Sequence, residues 1–461
     1  MDRLVFFFCF LINITQIIFI VFLYRNYWKK NNNSILILVK IFFYFNFTRI
    51  LFNGVMVDFL RILSEGAENK KYGVSSVEIL QVIILELVSN LVYFSAFTLL
   101  LIALRSKKHI PIEFKIRKQV DILIIFIFLS ICGLFFKSLF SNYLWLFKDA
   151  LYYIGPICST ILIIVGIKYE TKKWILYGIV SLMPIILITL IAGLRGTIVG
   201  IATCFILISL IELNRAQFKR VLIIGILPLL FLALIQEKLS EIKYAFAVSV
   251  ANETIDLSSA KGYTTFLLNF FNDELGIQKS DELQNSIIQE IEFRYGASSL
   301  FAVGFLRIGL KNDFVYFNPI FNSFYSFLPR QLINTSKPFS GSADGTEKKM
   351  GMYVCYNEIT GSDISMTDFI ISGHYYWELG WVGVLLFSLI AALYNIIIII
   401  FTRNFGYFGI ALLLLSYMPF SFLPKQTVSQ IIIMTPTIIL PSFLLYIIVK
   451  FCLGFRLKNT F

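Results

Sequence analysis

LVFFFCFLINITQIIFIVFL, Leu4 to Leu23, sets the class of this chain. It has about the 20 apolar residues that a helix needs to cross a bilayer. It lacks a small-residue cleavage site and is longer than the apolar core of a signal peptide, so it reads as a retained span. Similar runs recur along the chain. Of 461 residues, 58% are hydrophobic and 15% charged, and a soluble domain cannot hide that much apolar surface. The runs are continuous rather than alternating, which selects membrane helices over a closed barrel.

The expected fold is therefore an all-α polytopic membrane protein with about eleven transmembrane helices, within a range of ten to twelve. The spans fall near residues 4–24, 34–52, 77–104, 119–139, 149–169, 173–192, 196–212, 220–236, 378–402, 405–423 and 428–450. Three domains follow. Residues 1–236 form an N-terminal bundle of about eight spans. Residues 237–376 form one large loop containing short helices. Residues 377–461 hold about three further spans and a tail. Lys and Arg cluster in alternate short connections, such as RSKKHIPIEFKIRK (Arg105 to Lys118), and the positive-inside rule makes that set cytoplasmic. The large loop and the N-terminus are then outside, and the C-terminus inside.

The net charge of +12 is not a nucleic-acid signature, because its excess sits in these connections while the large loop has more Asp and Glu than Lys and Arg. Cys9, Cys132, Cys158, Cys204 and Cys452 lie in or beside apolar runs and read as small core residues. Cys355 is the one cysteine of the loop, so no disulfide closes the loop on itself. No zinc-type spacing, GxxxxGK[ST], HExxH or outer-loop Asp-x-Asp occurs, so no metal and no cofactor is expected. Any glycosyl transfer would be metal-independent and would use a lipid-linked donor.

Several residues in or near the loop can carry chemistry. Arg195, in AGLRGTIVG between two spans, is costly in a membrane unless it meets a partner; the alternative is a tight turn whose Arg reaches lipid headgroups. Arg330 follows Pro329 in SFLPRQL, with Lys337-Pro338 shortly after, and fixed cations at a membrane surface suit a diphosphate. Arg294 and Arg307 flank YGASSLFAVGF and can extend that site, or pair with loop carboxylates. The run from Tyr295 to Leu310 is too short to span and fits a re-entrant segment or a buried loop helix. His374 precedes the ninth span beside Tyr375, Tyr376 and Trp377, residues typical of a headgroup boundary. If the chain is helical here, Glu378 stands at i+4 and can orient the ring of a general base; the alternative is a structural interfacial histidine. His109 is incidental in a basic connection. Within the spans, Arg49 and Glu86 lie at similar depth and are expected to pair, and Lys40 to reach the cytoplasmic side.

The pattern resembles the bacterial O-antigen polymerases, the Wzy-type oligosaccharide repeat-unit polymerases. The likeness rests on Leu194-Arg195-Gly196 between two spans and on Phe327-Leu328-Pro329-Arg330 with Lys337-Pro338. It continues in Gly373-His374-Tyr375-Tyr376, leading to Gly380-Trp381-Val382-Gly383. Arg330 and Gly341 also match the Arg-x10-Gly pattern of some members. The architecture agrees over the whole chain, the motifs only over about 190–385. Many members have Glu where this chain has His374, and a histidine before a Gly-rich span is also similar to the related O-antigen ligases.

The resemblance implies an enzyme of the bacterial inner membrane with its large loop in the periplasm. It would join undecaprenyl-diphosphate-linked oligosaccharide repeat units. Arg195, Arg330, His374 and Glu378 would serve in catalysis, and Arg294, Arg307, Lys337, Tyr376 and Trp377 in substrate binding. Its partners would be the lipid-linked oligosaccharide and membrane lipids, with a chain-length regulator and a repeat-unit flippase as further candidates and no nucleic acid. The rival expectations are an O-antigen ligase, which passes glycan to lipid A-core, and a lipid-linked oligosaccharide flippase or transporter.

Overall fold

The computed structural model describes residues 2–30, 33–105, 116–135, 145–192, 195–227, 299–311, 314–316, 320, 355, 358–360, 371–417 and 427–452. Among these residues the secondary structure is helical, with no strand. Among the described residues, five helical stretches are long and apolar enough to cross a membrane: Asp2–Lys30, Ile35–Ser64, Ser76–Leu104, Ala150–Lys168 and Ile371–Thr402. The chain is thus a helical membrane protein.

The helices in chain order are α1 (Asp2–Asn26), α2 (Asn33–Ile50), α3 (Val57–Ser64), α4 (Ala67–Lys71), α5 (Ser76–Arg105), α6 (Ile116–Phe135), α7 (Trp145–Lys168), α8 (Lys172–Ala192), α9 (Arg195–Glu212) and α10 (Arg215–Val221). Then come α11 (Ser299–Leu310), α12 (Ile371–Thr402), α13 (Gly406–Leu415), α14 (Val428–Met434) and α15 (Leu440–Cys452). Wide π-turns over Leu51–Met56, Leu222–Ile226 and Thr435–Ile439 join or extend neighbouring helices.

The second span differs from the sequence reading. It does not stop near residue 52, because the π-turn carries the helix on into α3. Gly54 sits at this turn, where an added Cβ would stand 2.8 Å from Asn13 Cγ and would push on the Asn13 amide of α1. The longer helix brings Asp58 and Arg61 into the packed interior instead of leaving them in a connection.

The described residues form two compact units. One comprises the described parts of 1–122, 137–151 and 287–461, the other those of 123–136 and 152–286. In the second, small residues let helices touch: a Cβ on Gly178 would lie 2.9 Å from the Ser159 carbonyl, and the Ser159 and Ser181 hydroxyls meet at 2.8 Å. In lipid such close packing and interhelical hydrogen bonding replace the hydrophobic drive of water. Lys168 Nζ also pairs with Glu212 Oε2 at 2.5 Å.

The first unit holds the main core. At one point Trp28 donates through Nε1 to Thr98 Oγ1 at 2.8 Å, while Phe42 stacks on Phe97 with centroids 3.9 Å apart. A larger cluster draws together α1, α5, α11 and the start of α12 through Phe6, Ile83, Phe301, Phe305, Tyr375 and Trp377. Between the alternatives for 295–310, α11 is the buried loop helix: Phe301, Ala302, Val303 and Phe305 are all inside.

Candidate functional site

The region around His374 is a short helical arm that precedes the span. Helix α12 starts at Ile371, inside the segment expected to be loop, and runs to Thr402. It is not continuous. Leu379 (φ −148°, ψ 23°) and Gly380 (φ 60°, ψ −146°) leave helical geometry and divide it into an arm, 371–378, and a long membrane helix. The Gly380 conformation is one that side chains strongly disfavour, which accounts for glycine there.

A broken helix leaves carbonyls without intrahelical donors. Here the backbone N–H groups of Val315 and Tyr316 supply them, bonding Trp377 O at 3.3 Å and Glu378 O at 3.1 Å. Gly383 serves the same break from the other side, since any side chain there would collide with the Tyr375 carbonyl. The Gly-Trp-x-Gly motif of the sequence thus has a local cause: it permits the turn between arm and span.

The arm being helical, His374 and Glu378 lie on one face. His374 Nδ1 stands 3.0 Å from Glu378 Oε1. That is hydrogen-bond length, but the atoms are out of line, and among the described residues neither carboxylate oxygen of Glu378 receives a well-formed hydrogen bond. His374 is 2% exposed and Glu378 0%. An ionisable acid so placed is costly, and such groups cluster at functional sites. The imidazole packs edge to face with Phe305 (centroids 5.6 Å) and Trp377 (5.3 Å).

Tyr376 and Trp377 are 8% and 4% exposed. They do not form a headgroup belt. Trp377 lies on Phe305, and Tyr376 covers Gly309 of α11, where a Cβ would come within 2.5 Å of its ring. Arg307 is held by a carboxylate, the structural alternative left open by the sequence. Its Nε and Nη2 donate to Glu78 at 2.7 and 3.1 Å, and Nη2 also to Gly73 O at 2.8 Å. The hydrogen bond that Arg307 donates to Glu78 raises the arginine's pKa above its usual value, while partial burial opposes the shift. Arg195 is the first residue of α9, but its side chain is outside the described residues, as are Arg294, Arg330 and Lys337.

A polar chain through the first three span helices was only partly foreseen. Arg49 Nη1 meets Glu86 Oε1 at 2.6 Å, as expected, and Nη2 donates to Asn90 Oδ1 at 3.1 Å. Asn90 then donates to Gln16, Gln16 to Asn13 Oδ1 (2.9 Å), and Asn13 to Asp58 Oδ2 (2.7 Å). Asp58 Oδ1 accepts from Arg61 Nη1 at 3.2 Å, and Arg61 Nη2 reaches Ser299 Oγ at 2.7 Å. Asp58, Arg61, Asn13, Gln16, Asn90 and Glu78 carried no role in the sequence reading. The available signal was Asp58-x-x-Arg61, an i,i+3 pair continuing the helical period of the second span.

No protein-family profile, no curated protein and no solved structure matches this chain.

Proposed function

We propose that this chain is a multi-pass enzyme of the bacterial inner membrane that polymerises undecaprenyl-diphosphate-linked oligosaccharide repeat units into O-antigen or a similar surface polysaccharide. The reading takes the full set of about eleven spans and a periplasmic 237–376 segment. The observation that carries it is the buried His374–Glu378 pair on a helical arm at a break leading into a span. Sequence resemblance supplies the reaction class.

In this reaction His374 is the general base. With Nδ1 turned to Glu378, the other nitrogen, Nε2, takes the proton from the acceptor sugar hydroxyl. That oxygen attacks the anomeric carbon of the donor glycan as the bond to the lipid diphosphate breaks. The electron pair leaves with the diphosphate, and the resemblance assigns the stabilising of its charge to Arg195 and Arg330, with Arg294 and Lys337 in support. Arg307 is committed to Glu78, and Tyr376 and Trp377 to packing, so these three are better read as supports than as sugar contacts. Because His374 is covered, the acceptor must displace part of that cover to reach it.

A flippase or transporter draws on Arg49–Glu86 and Asp58–Arg61, charges set within span helices. These pairs satisfy each other, which weighs toward structure. Deletion of the gene, read on a lipopolysaccharide gel, separates the readings. A polymerase loss leaves core bearing one repeat unit. A ligase loss leaves bare core with lipid-linked polymer outside, and a flippase loss leaves bare core with units trapped inside. Arg195→Ala, Arg330→Ala and His374→Ala at matched expression then test the site, and normal ladders from all three would remove it.

A further inference from the structure

Helix α11 is short and apolar, and it bears the side chains that lie against His374. Ala302 faces Gly373, where a Cβ would come within 3.2 Å; Phe305 packs on His374 and Trp377; Gly309 lies beneath the Tyr376 ring. A Cβ on Gly304 would stand 2.5 Å from the Cys355 carbonyl, so the opposite flank is tight as well. This packing excludes a slide by a whole turn, about 5.4 Å, which would carry side chains into the seats of Gly304 and Gly309, but apolar contact alone holds the helix only loosely against a smaller shift. Polar anchors do fix it, because an ion pair or hydrogen bond in an apolar setting has one register in which it is satisfied.

Two such anchors are present, one at each end. At the start, Ser299 accepts from Arg61, which is 1% exposed and held in turn by Asp58 and, through it, Asn13. Near the finish, Arg307 forks onto Glu78 and bonds the Gly73 carbonyl. Glu78 is itself fixed by the backbone N–H and hydroxyl of Ser75, at 2.8 and 2.9 Å. The anchored residues are separated by about 12 Å of helix, and Phe305 lies between them.

We propose that Arg61 and Glu78 are positioning residues: by fastening both ends of α11 they set Phe305 against His374 and keep the imidazole on Glu378. The inference rests on the preceding reading of His374 and Glu378 as the working pair. It adds residues far from them in sequence, on α3 and α5, that touch neither substrate nor base.

The test uses the full chain in its native membrane, with Cys355 kept as the sole cysteine. Cys355 is buried against α11 and reports its seating through protection from a small maleimide. Glu78→Gln and Arg61→Gln are expected to label about tenfold faster, as local opening of α11 is eased. Polymer per molecule of enzyme should fall about a hundredfold, the scale of a roughly 1 Å misplacement. The exchanged pair Glu78→Arg with Arg307→Glu should restore both protection and polymer. Since Arg307 and Glu78 are only partly buried, that arm of the test stands even if Arg61→Gln fails to accumulate.

Normal labelling with a normal ladder in Glu78→Gln would overturn the proposal. So would lost polymer with Cys355 still protected, or an exchanged pair that restores neither readout. A normal ladder from His374→Ala removes the site reading and this inference together, whereas a blank from His374→Ala beside a normal ladder from Glu78→Gln removes only the clamp.

Discussion

Two parts of the molecule bury acids, and they treat them differently. In the N-terminal helices Glu86 has Arg49 and Asn90, and Asp58 has Arg61 and Asn13, all within hydrogen-bond reach. In the arm, Glu378 has the misaligned His374 ring at 3.0 Å and, among the described residues, no well-formed hydrogen bond. The first arrangement is a lattice whose members satisfy one another and so fix how α1, α2, α3 and α5 sit together. The second leaves a buried acid without a well-formed partner among the described residues, which weakens the fold and is retained where reactivity is wanted. Buried charge by itself therefore does not mark the site; its pairing distinguishes structure from chemistry.

Breaking the lattice should have the larger effect, and that effect should be on stability. Glu86→Ala leaves the Arg49 guanidinium without its carboxylate, a loss of about 3–5 kcal/mol. The variant is expected to accumulate poorly in the membrane and to melt early in a detergent thermal-shift assay, while the molecules that do fold retain their activity. Glu378→Gln should do the opposite. It replaces a buried acid that has no well-formed partner among the described residues, so abundance and melting should hold or improve, while turnover falls about a hundredfold as the ring loses its orienting carboxylate. If Glu378→Gln instead destabilised the protein as Glu86→Ala does, the distinction between the two regions would collapse.

Smaller effects sharpen the same contrast. Gly380→Ala places a side chain at φ 60°, ψ −146°, at a cost of about 1–3 kcal/mol. The arm should shift relative to the following span, lowering turnover more than abundance. Smallest is Ser388→Ala. It removes the 2.6 Å hydroxyl contact between α12 and Ser89 of α5, worth about 1 kcal/mol, and should lower the melting temperature slightly with turnover unchanged.

Local features were legible in the sequence and long-range ones were not. Apolar runs gave the membrane class and the helices. The i,i+4 spacing of His374 and Glu378 anticipated their meeting, and similar depth anticipated Arg49–Glu86. The length of the second span was missed because a π-turn shifts the helical phase without a strong composition signal. That miss placed Asp58 and Arg61 in a connection. The contacts Arg61–Ser299 and Arg307–Glu78 join residues more than 200 positions apart, and no local period encodes which acid an arginine will find. The aromatic triplet 375–377 was read as a belt because Tyr and Trp favour both interfaces and tight cores, and composition does not separate the two.

The most direct test of the central claim is the polysaccharide ladder made by His374→Ala in a deletion background, at membrane abundance matched to the parent. The account predicts core bearing a single repeat unit and no ladder, from a protein that still protects Cys355. A full ladder from that variant would contradict it.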